Sequence, residues 1–383
     1  MNFELNEDQA MLRDTVASFV KQTSPVSRAR RLRDDPRGWD PLTWKQMGEL
    51  GWLSVPFPES VGGFGGSFVD VAVILERFGT TLVPEPYLAS VVLAGLTILR
   101  GGSTEQHARF LTPMIEGKTS LALAYAERGG RHDVTRVECH ATPAAGPDGQ
   151  ARGYRIDGEK VFVLNGHAAD HVVVSASTDD GLGLFVVDAG AEGLATTAVQ
   201  MMDGRRGANL RLVDVFVSAD ARLGGAEDAA TVLGRTMDYG AAAACAEGLG
   251  VVTMLLEMTT EYLKEREQFG APIGTFQALQ HRAVDMFVDQ QQCVAMNVLA
   301  AIRADEPDPA VRCPDISAAK AHLGSGGKRV AQQALQLHGG VGITDEHDIG
   351  LFFKRLGVLN ALFGDEEHHV SRFMADATFT AGI

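Results

Sequence analysis

The spacing of apolar residues changes twice along this chain of 383 residues, and those two changes limit its fold more than any single motif. Residues 5–115 read as helical. Leu12, Val16, Phe19 and Val20 fall on one helix face, and Trp44, Met47 and Leu50 on another that stops at Gly51. Further helices are expected from Asp70 to Phe78, Leu88 to Leu99 and Glu105 to Ile115. From Leu121 the period falls to two, with Leu121, Leu123 and Tyr125 alternating with small residues. Tyr154 and Ile156 meet Val161 and Val163 across Asp157-Gly158, which predicts a hairpin. Val172 to Val174, Leu184 to Val187, and Val213, Val215 and Val217 read as further strands. Turn clusters Gly146-Pro147-Asp148-Gly149 and Thr178-Asp179-Asp180-Gly181 lie between them.

Helices return from about Ala226 and remain to the end. Phe276, Leu279, Ala283, Met286 and Phe287 form the buried face of one. Glu306 to Pro314 reads as a proline-containing connector, Ser317 to Leu337 as the next helix, then His347 to Asn360 and His368 to Thr378. The expected fold is therefore α+β in three parts: an all-α domain over 1–117, a β-barrel or sandwich over 118–225, and an antiparallel helical bundle over 226–383.

Composition narrows the function. With 45% hydrophobic and 22% charged residues the chain suits a soluble globular enzyme. A net charge of -15 argues against nucleic acid or an anionic membrane surface as general partners, so an anionic ligand needs a local basic or helix-terminal site. No apolar run reaches membrane-spanning length and no secretory signal opens the sequence. Cys139, Cys245, Cys293 and Cys313 are scattered, as expected of reduced thiols in a cytoplasmic protein. The glycine-rich loop from Pro56 to Gly66 lacks the Lys-Ser/Thr of a phosphate cradle and reads as a structural or pocket-edge loop.

The chemistry concentrates between Met237 and Gln280. Its first half is an apolar, small-residue helix in which Glu247 stands among Ala243, Ala244, Cys245, Ala246, Gly248 and Leu249. An ionised carboxylate in such company costs several kcal/mol unless it is paired. It faces solvent, meets a partner, or works.

Arg266-Glu267-Gln268-Phe269-Gly270, followed by Ile273-Gly274-Thr275-Phe276-Gln277, closely resembles a signature of the acyl-CoA dehydrogenases. A second block about 60 residues on, Gln336-Leu337-His338-Gly339-Gly340-Val341-Gly342 with Asp345-Glu346-His347, resembles another. The α–β–α layout matches over essentially the whole chain. The resemblance implies an FAD flavoenzyme that forms a double bond between Cα and Cβ of an acyl-CoA thioester. It implies that Arg266 binds the FAD pyrophosphate of a neighbouring subunit, with Phe269 and Gln277 beside the adenosine. Gln336, Gly339 and Gly340 then line the same diphosphate from the other protomer. A guanidinium fork and glycine backbone N–H groups both suit phosphate. Without a ligand, Arg266 would still serve as a helix C-terminal charge and Gly339-Gly340 as a helix cap.

The implied reaction needs a carboxylate base at Cα in a dry pocket. Many relatives carry it just before a Gly-Thr pair, where this chain has Phe363-Gly364-Asp365. Others carry it on the helix before the Arg-x-x-Phe-Gly block, at a position that is Gly240 here. A further group has Ala-Ala-Glu 19 residues before the Arg, which is the place of Glu247. Gly240 and Glu247 are seven residues apart, two turns of one helix face. Glu247 is thus the expected base, with Asp365, Glu366 and Glu367 as competitors. The acidic cluster beside His368 and His369 reads as a solvated helix start, and no metal site is expected.

Two departures stand out. The usual Thr-Glu-Pro-Gly is Ala126-Glu127-Arg128-Gly129-Gly130, and a Trp-x-Ser/Thr pattern is Phe162-Val163-Leu164. Both remove a hydroxyl beside the flavin. Three readings stay open: a catalytic dehydrogenase in a homo- or heterotetramer, a non-catalytic subunit that completes another chain's flavin site, and a flavin monooxygenase on the same fold. Some bacterial relatives are heterotetramers acting on bulky steroid-derived CoA esters, and an electron-transfer flavoprotein is the family's usual acceptor.

Overall fold

The computed structural model describes residues 4–146 and 152–375. In chain order the first helices are α1 (Glu7–Thr23), α2 (Val26–Leu32), α3 (Pro41–Glu49) and α4 (Phe68–Gly79). Asn6 and Gln9 close a capping box at α1, which buries Val16 and Val20. Asp40 caps α3, and Pro41 sits in its first turn, where a missing N–H is harmless. Trp44 and Met47 are buried as expected, but Leu50 falls outside the helix and is 43% exposed. A π-wound stretch, Leu88–Gly95, leads into α5 (Leu96–Gly101). α6 (Thr104–Gln106) continues through a second π-wound turn into α7 (Thr112–Ile115).

Seven strands follow: β1 (Leu121–Ala124), β2 (His140–Ala145), β3 (Arg152–Leu164), β4 (His171–Thr178), β5 (Gly181–Asp188), β6 (Leu194–Gln200) and β7 (Arg206–Ser218). They join in one sheet of order β1-β4-β2-β3-β7-β6, with β5 also on β4. β4 and β5 pair as a hairpin across the turn cluster expected at Thr178-Asp179-Asp180-Gly181, with Thr178 opposite Gly181. The hairpin expected at Asp157-Gly158 does not form. β3 runs straight through both residues, and its pairing with β7 slips there as a bulge. Gly158, at φ +147°, lies where a Cβ would come 2.7 Å from Cys139, so the glycine answers a crowded kink and not a turn. The turn cluster around Pro147-Asp148-Gly149 lies outside the described residues. Ile156, Val174, Phe185, Val187, Leu210 and Val215 form the centre of the sheet's core.

The helical region that follows contains α8 (Ala229–Glu265), a two-residue pair β8 (Glu267–Gln268) and β9 (Ala271–Pro272), and α9 (Gln277–Ala304). It continues with α10 (Pro309–His322), α11 (Lys328–His338), α12 (Ile349–Ala361) and α13 (Glu366–Met374). The connector expected over 306–314 is helical from Pro309. Asp308 caps it by accepting the Ala310 N–H at 2.9 Å, and the chain tolerates Pro314 inside the helix. α8 is long and apolar enough to span a membrane by composition, yet 72% of its most apolar window is buried within the protein.

The chain packs as two units. One holds residues 1–31, 67–83 and 241–383, and the other holds 32–66 and 84–240. α8 runs through the boundary, and its Ala241 to Ala246 stretch is buried throughout.

Candidate active site

Glu247 is held on α8 by a backbone-to-backbone crossing with α4. A Cβ on Gly79 would come 2.1 Å from the Glu247 carbonyl oxygen, and one on Gly250 would come 2.0 Å from that of Glu76. Both positions therefore need glycine. The Glu247 side chain turns toward α12, where Ile349, Phe352, Leu356 and Leu359 are buried and Arg355 falls on the same stripe. Arg355 Nε donates to Glu247 Oε1 at 2.8 Å, and Nη2 donates to Oε2 at 2.7 Å. The two side chains are 4% and 3% exposed. This fork offsets the cost of taking a carboxylate out of water.

In the corner after α12, position 363 is a phenylalanine and not a carboxylate. Phe363 stands at φ +61°, a left-handed backbone that bulky residues rarely adopt. Two buried basic side chains, Lys320 and His369, fix the corner. Lys320 Nζ donates to the carbonyls of Asn360 and Gly364, each at 2.9 Å, and burial lowers its pKa to about 8. His369 Nε2 meets the Phe363 carbonyl at 3.1 Å, and burial, with Lys320, His368 and Arg372 nearby, lowers its pKa to about 3. Asp365 caps α13 by accepting the His368 N–H at 2.9 Å, and Glu366 and Glu367 occupy its first turn. These carboxylates favour the positive end of the helix, as expected of a solvated start.

The two motif blocks come together. Tyr262, one turn before Arg266 on α8, stacks on His338 at the end of α11, with ring centroids 4.5 Å apart. Beyond Arg266, β8 and β9 close a two-residue turn at Phe269 and Gly270, with φ of +57° and +80°. Such a turn usually takes Asn-Gly, which is why the sequence did not announce it. Phe269 is 95% exposed at its tip. The Arg266 guanidinium is exposed and makes no hydrogen bond or ion pair among the described residues. Gln277 opens α9 and Gln336 lies on α11, both exposed. A Cβ on Gly339 or Gly340 would meet nothing within 4 Å, so that backbone corner is open to an approaching group.

In the unit that carries the sheet, Lys160 Nζ donates to Glu127 Oε1 at 2.6 Å and to Ser175 Oγ at 2.9 Å. Glu127 also accepts the N–H groups of Glu138 and Cys139, at 2.6 and 3.1 Å. Burial pulls the Lys160 amine below its usual pKa, and Glu127 opposes that shift. The pair pins the segment after β1 to β3, where Val161 N–H donates to the Ala126 carbonyl at 2.9 Å. Phe162 beside it is 66% exposed at φ +52°, with its N–H on Asn209 Oδ1 at 3.2 Å.

Comparison with known proteins places this arrangement. The N-terminal, middle and C-terminal domains of acyl-CoA dehydrogenases match residues 6–118, 122–215 and 230–377. Acyl-CoA dehydrogenase FadE27 of Mycobacterium tuberculosis is 32% identical over 92% of both chains. The chain belongs to the acyl-CoA dehydrogenase family. Members of this family are FAD-dependent oxidoreductases. Among solved structures, a variant of the Tcur3481-Tcur3483 steroid ACAD is 30% identical with a TM-score of 0.86, covering 98% of this chain and 99% of that one. The ChsE4-ChsE5 complex of Mycobacterium tuberculosis is 30% identical with a TM-score of 0.85, covering 97% of each chain. The helical N- and C-terminal regions and the central sheet are those of the acyl-CoA dehydrogenase fold.

The residues present fit FAD on the diphosphate side: an uncommitted guanidinium and an open glycine corner suit a charged phosphate pair. At Ala126 and Leu164, the positions expected from the sequence beside the flavin, no side chain offers a hydroxyl. Sequence reasoning missed Arg355, Lys320 and His369. Arg355 was findable, because a charged residue on an apolar helical stripe demands a partner.

Proposed function

We propose that this chain is an FAD-dependent acyl-CoA dehydrogenase that desaturates a fatty-acyl or steroid side-chain thioester between Cα and Cβ, with Glu247 as the base. The observation that carries this reading is the burial of a carboxylate on α8, 2% exposed, in a chain whose corner after α12 holds Phe363. Removing the Cα proton breaks a C–H bond, forms an O–H bond on Glu247, and leaves the electron pair to the thioester. FAD, when bound, supplies the acceptor for the hydride that leaves Cβ. Arg266, Phe269, Gln277, Gln336, Gly339 and Gly340 bind the dinucleotide. The Tyr262–His338 stack favours both blocks serving one diphosphate from the same chain, in place of the opposite-protomer arrangement expected from the sequence. The domains run over 1–117, 118–225 and 226–383. The enzyme is cytoplasmic, works as a homo- or heterotetramer with flavin sites at subunit interfaces, and passes electrons to an electron-transfer flavoprotein.

A second reading has its own support. The missing hydroxyls and the fork on Glu247 suit a partner subunit that completes another chain's flavin site. The visible spectrum of the purified chain, titrated anaerobically with acyl-CoA thioesters, separates the two. A flavin band that bleaches in the wild type and not in Glu247→Gln supports the dehydrogenase and its base. Bleaching that survives the substitution overturns Glu247. A colourless chain that gains flavin only with a sister subunit supports the second reading.

A further inference from the structure

The Glu247–Arg355 fork raises a question that burial alone does not. Any proton that reaches Glu247 arrives on a buried carboxylate whose two oxygens both already accept from Arg355. Proton uptake at Glu247 and the hydrogen bonding of Arg355 are therefore coupled by geometry.

We propose that Arg355 is a positioning residue for proton abstraction, resting on the reading of Glu247 as base. In the resting protein its fork keeps the carboxylate ionised and fixes the plane of its two oxygens. The Gly79–Gly250 crossing fixes the backbone from which that carboxylate reaches. Arg355 thus governs how fast the proton leaves and not how tightly the thioester binds. A lysine keeps the charge but cannot form the planar fork.

The test is the exchange of Cα hydrogens of a saturated acyl-CoA for deuterium in D2O. It is followed by mass spectrometry under anaerobic conditions with the flavin-bound protein, alone or co-purified with a sister subunit. Wild type, Glu247→Gln, Arg355→Lys, Arg355→Gln and the double variant Glu247→Gln/Arg355→Gln are compared. The saturating exchange rate should fall at least about tenfold in Arg355→Lys and further in Arg355→Gln, with the half-saturating thioester concentration moving less than about threefold. The double variant should melt at a higher temperature than Arg355→Gln, because removing both charges leaves neither unpaired. If Arg355→Gln does not fold, Arg355→Lys carries the test. A saturating rate in Arg355→Lys within about twofold of wild type, whatever its melting temperature, overturns the proposal and leaves Arg355 a structural counter-ion. Wild-type exchange that survives in Glu247→Gln overturns the base assignment instead, and the role of Arg355 falls with it.

Discussion

Two buried glutamates in this molecule solve one problem differently. Glu127 sits in a cage made by the Lys160 amine and the backbone N–H groups of Glu138 and Cys139. Glu247 takes a two-pronged contact from the buried guanidinium of Arg355. Backbone donors cannot leave without unravelling the segment they belong to, whereas a side-chain donor can be replaced without breaking the chain. Burial alone does not distinguish one kind of carboxylate from the other; the nature of the donors does.

That contrast can be broken by substitution. Glu247→Gln should lower the rate of flavin reduction by acyl-CoA about 10²–10⁴-fold while leaving the protein folded, as checked by stopped-flow absorbance and circular dichroism. A fall in melting temperature with unchanged reduction would erase the distinction between the two glutamates. Lys160→Met should do the opposite, costing about 3–5 kcal/mol in denaturant unfolding because Glu127 is left charged in its cage. Pairing it with Glu127→Leu should recover part of that loss. Arg266→Ala, at an exposed position, should weaken FAD binding about tenfold or more in equilibrium dialysis while unfolding as wild type does.

The smallest effect concerns His369. Its pKa falls from 6.5 to about 3 on folding, so the unfolded chain binds the proton more readily. The stability gained by keeping this ring neutral is fully present above pH 6.5 and drains away as pH falls toward 3. His369→Gln should flatten that part of the profile in thermal melts between those limits. An unchanged slope would mean that other groups govern acid unfolding.

The sequence made the outline of the fold legible because periodicity is a local property. Val16 and Val20, or Ile156 and Val215, announce their faces whatever surrounds them. Asp157-Gly158 misled because a glycine beside an aspartate serves a turn or a bulge equally well. What decides is Cys139, a neighbour that local spacing cannot supply. The site divides along the same line. Glu247 and Arg266 could be proposed from motif spacing, but the Arg355 partnership joins residues 108 positions apart. The Lys320 and His369 contacts with the corner at Phe363 depend in the same way on tertiary packing.

The crossing of α4 and α8 has a consequence for how this chain can evolve. With no side chain at Gly79 or Gly250, the two backbones set the height of Glu247 as a shim sets a bearing. A single added methyl group at either position would tilt the carboxylate away from Arg355 without touching any reacting atom. In a mutant library, those two glycines should persist under selection for folding alone, and Glu247 should persist only when turnover is also selected. Lineages that abandon catalysis would keep the glycines and lose the acid, leaving a record of lost chemistry in an intact frame.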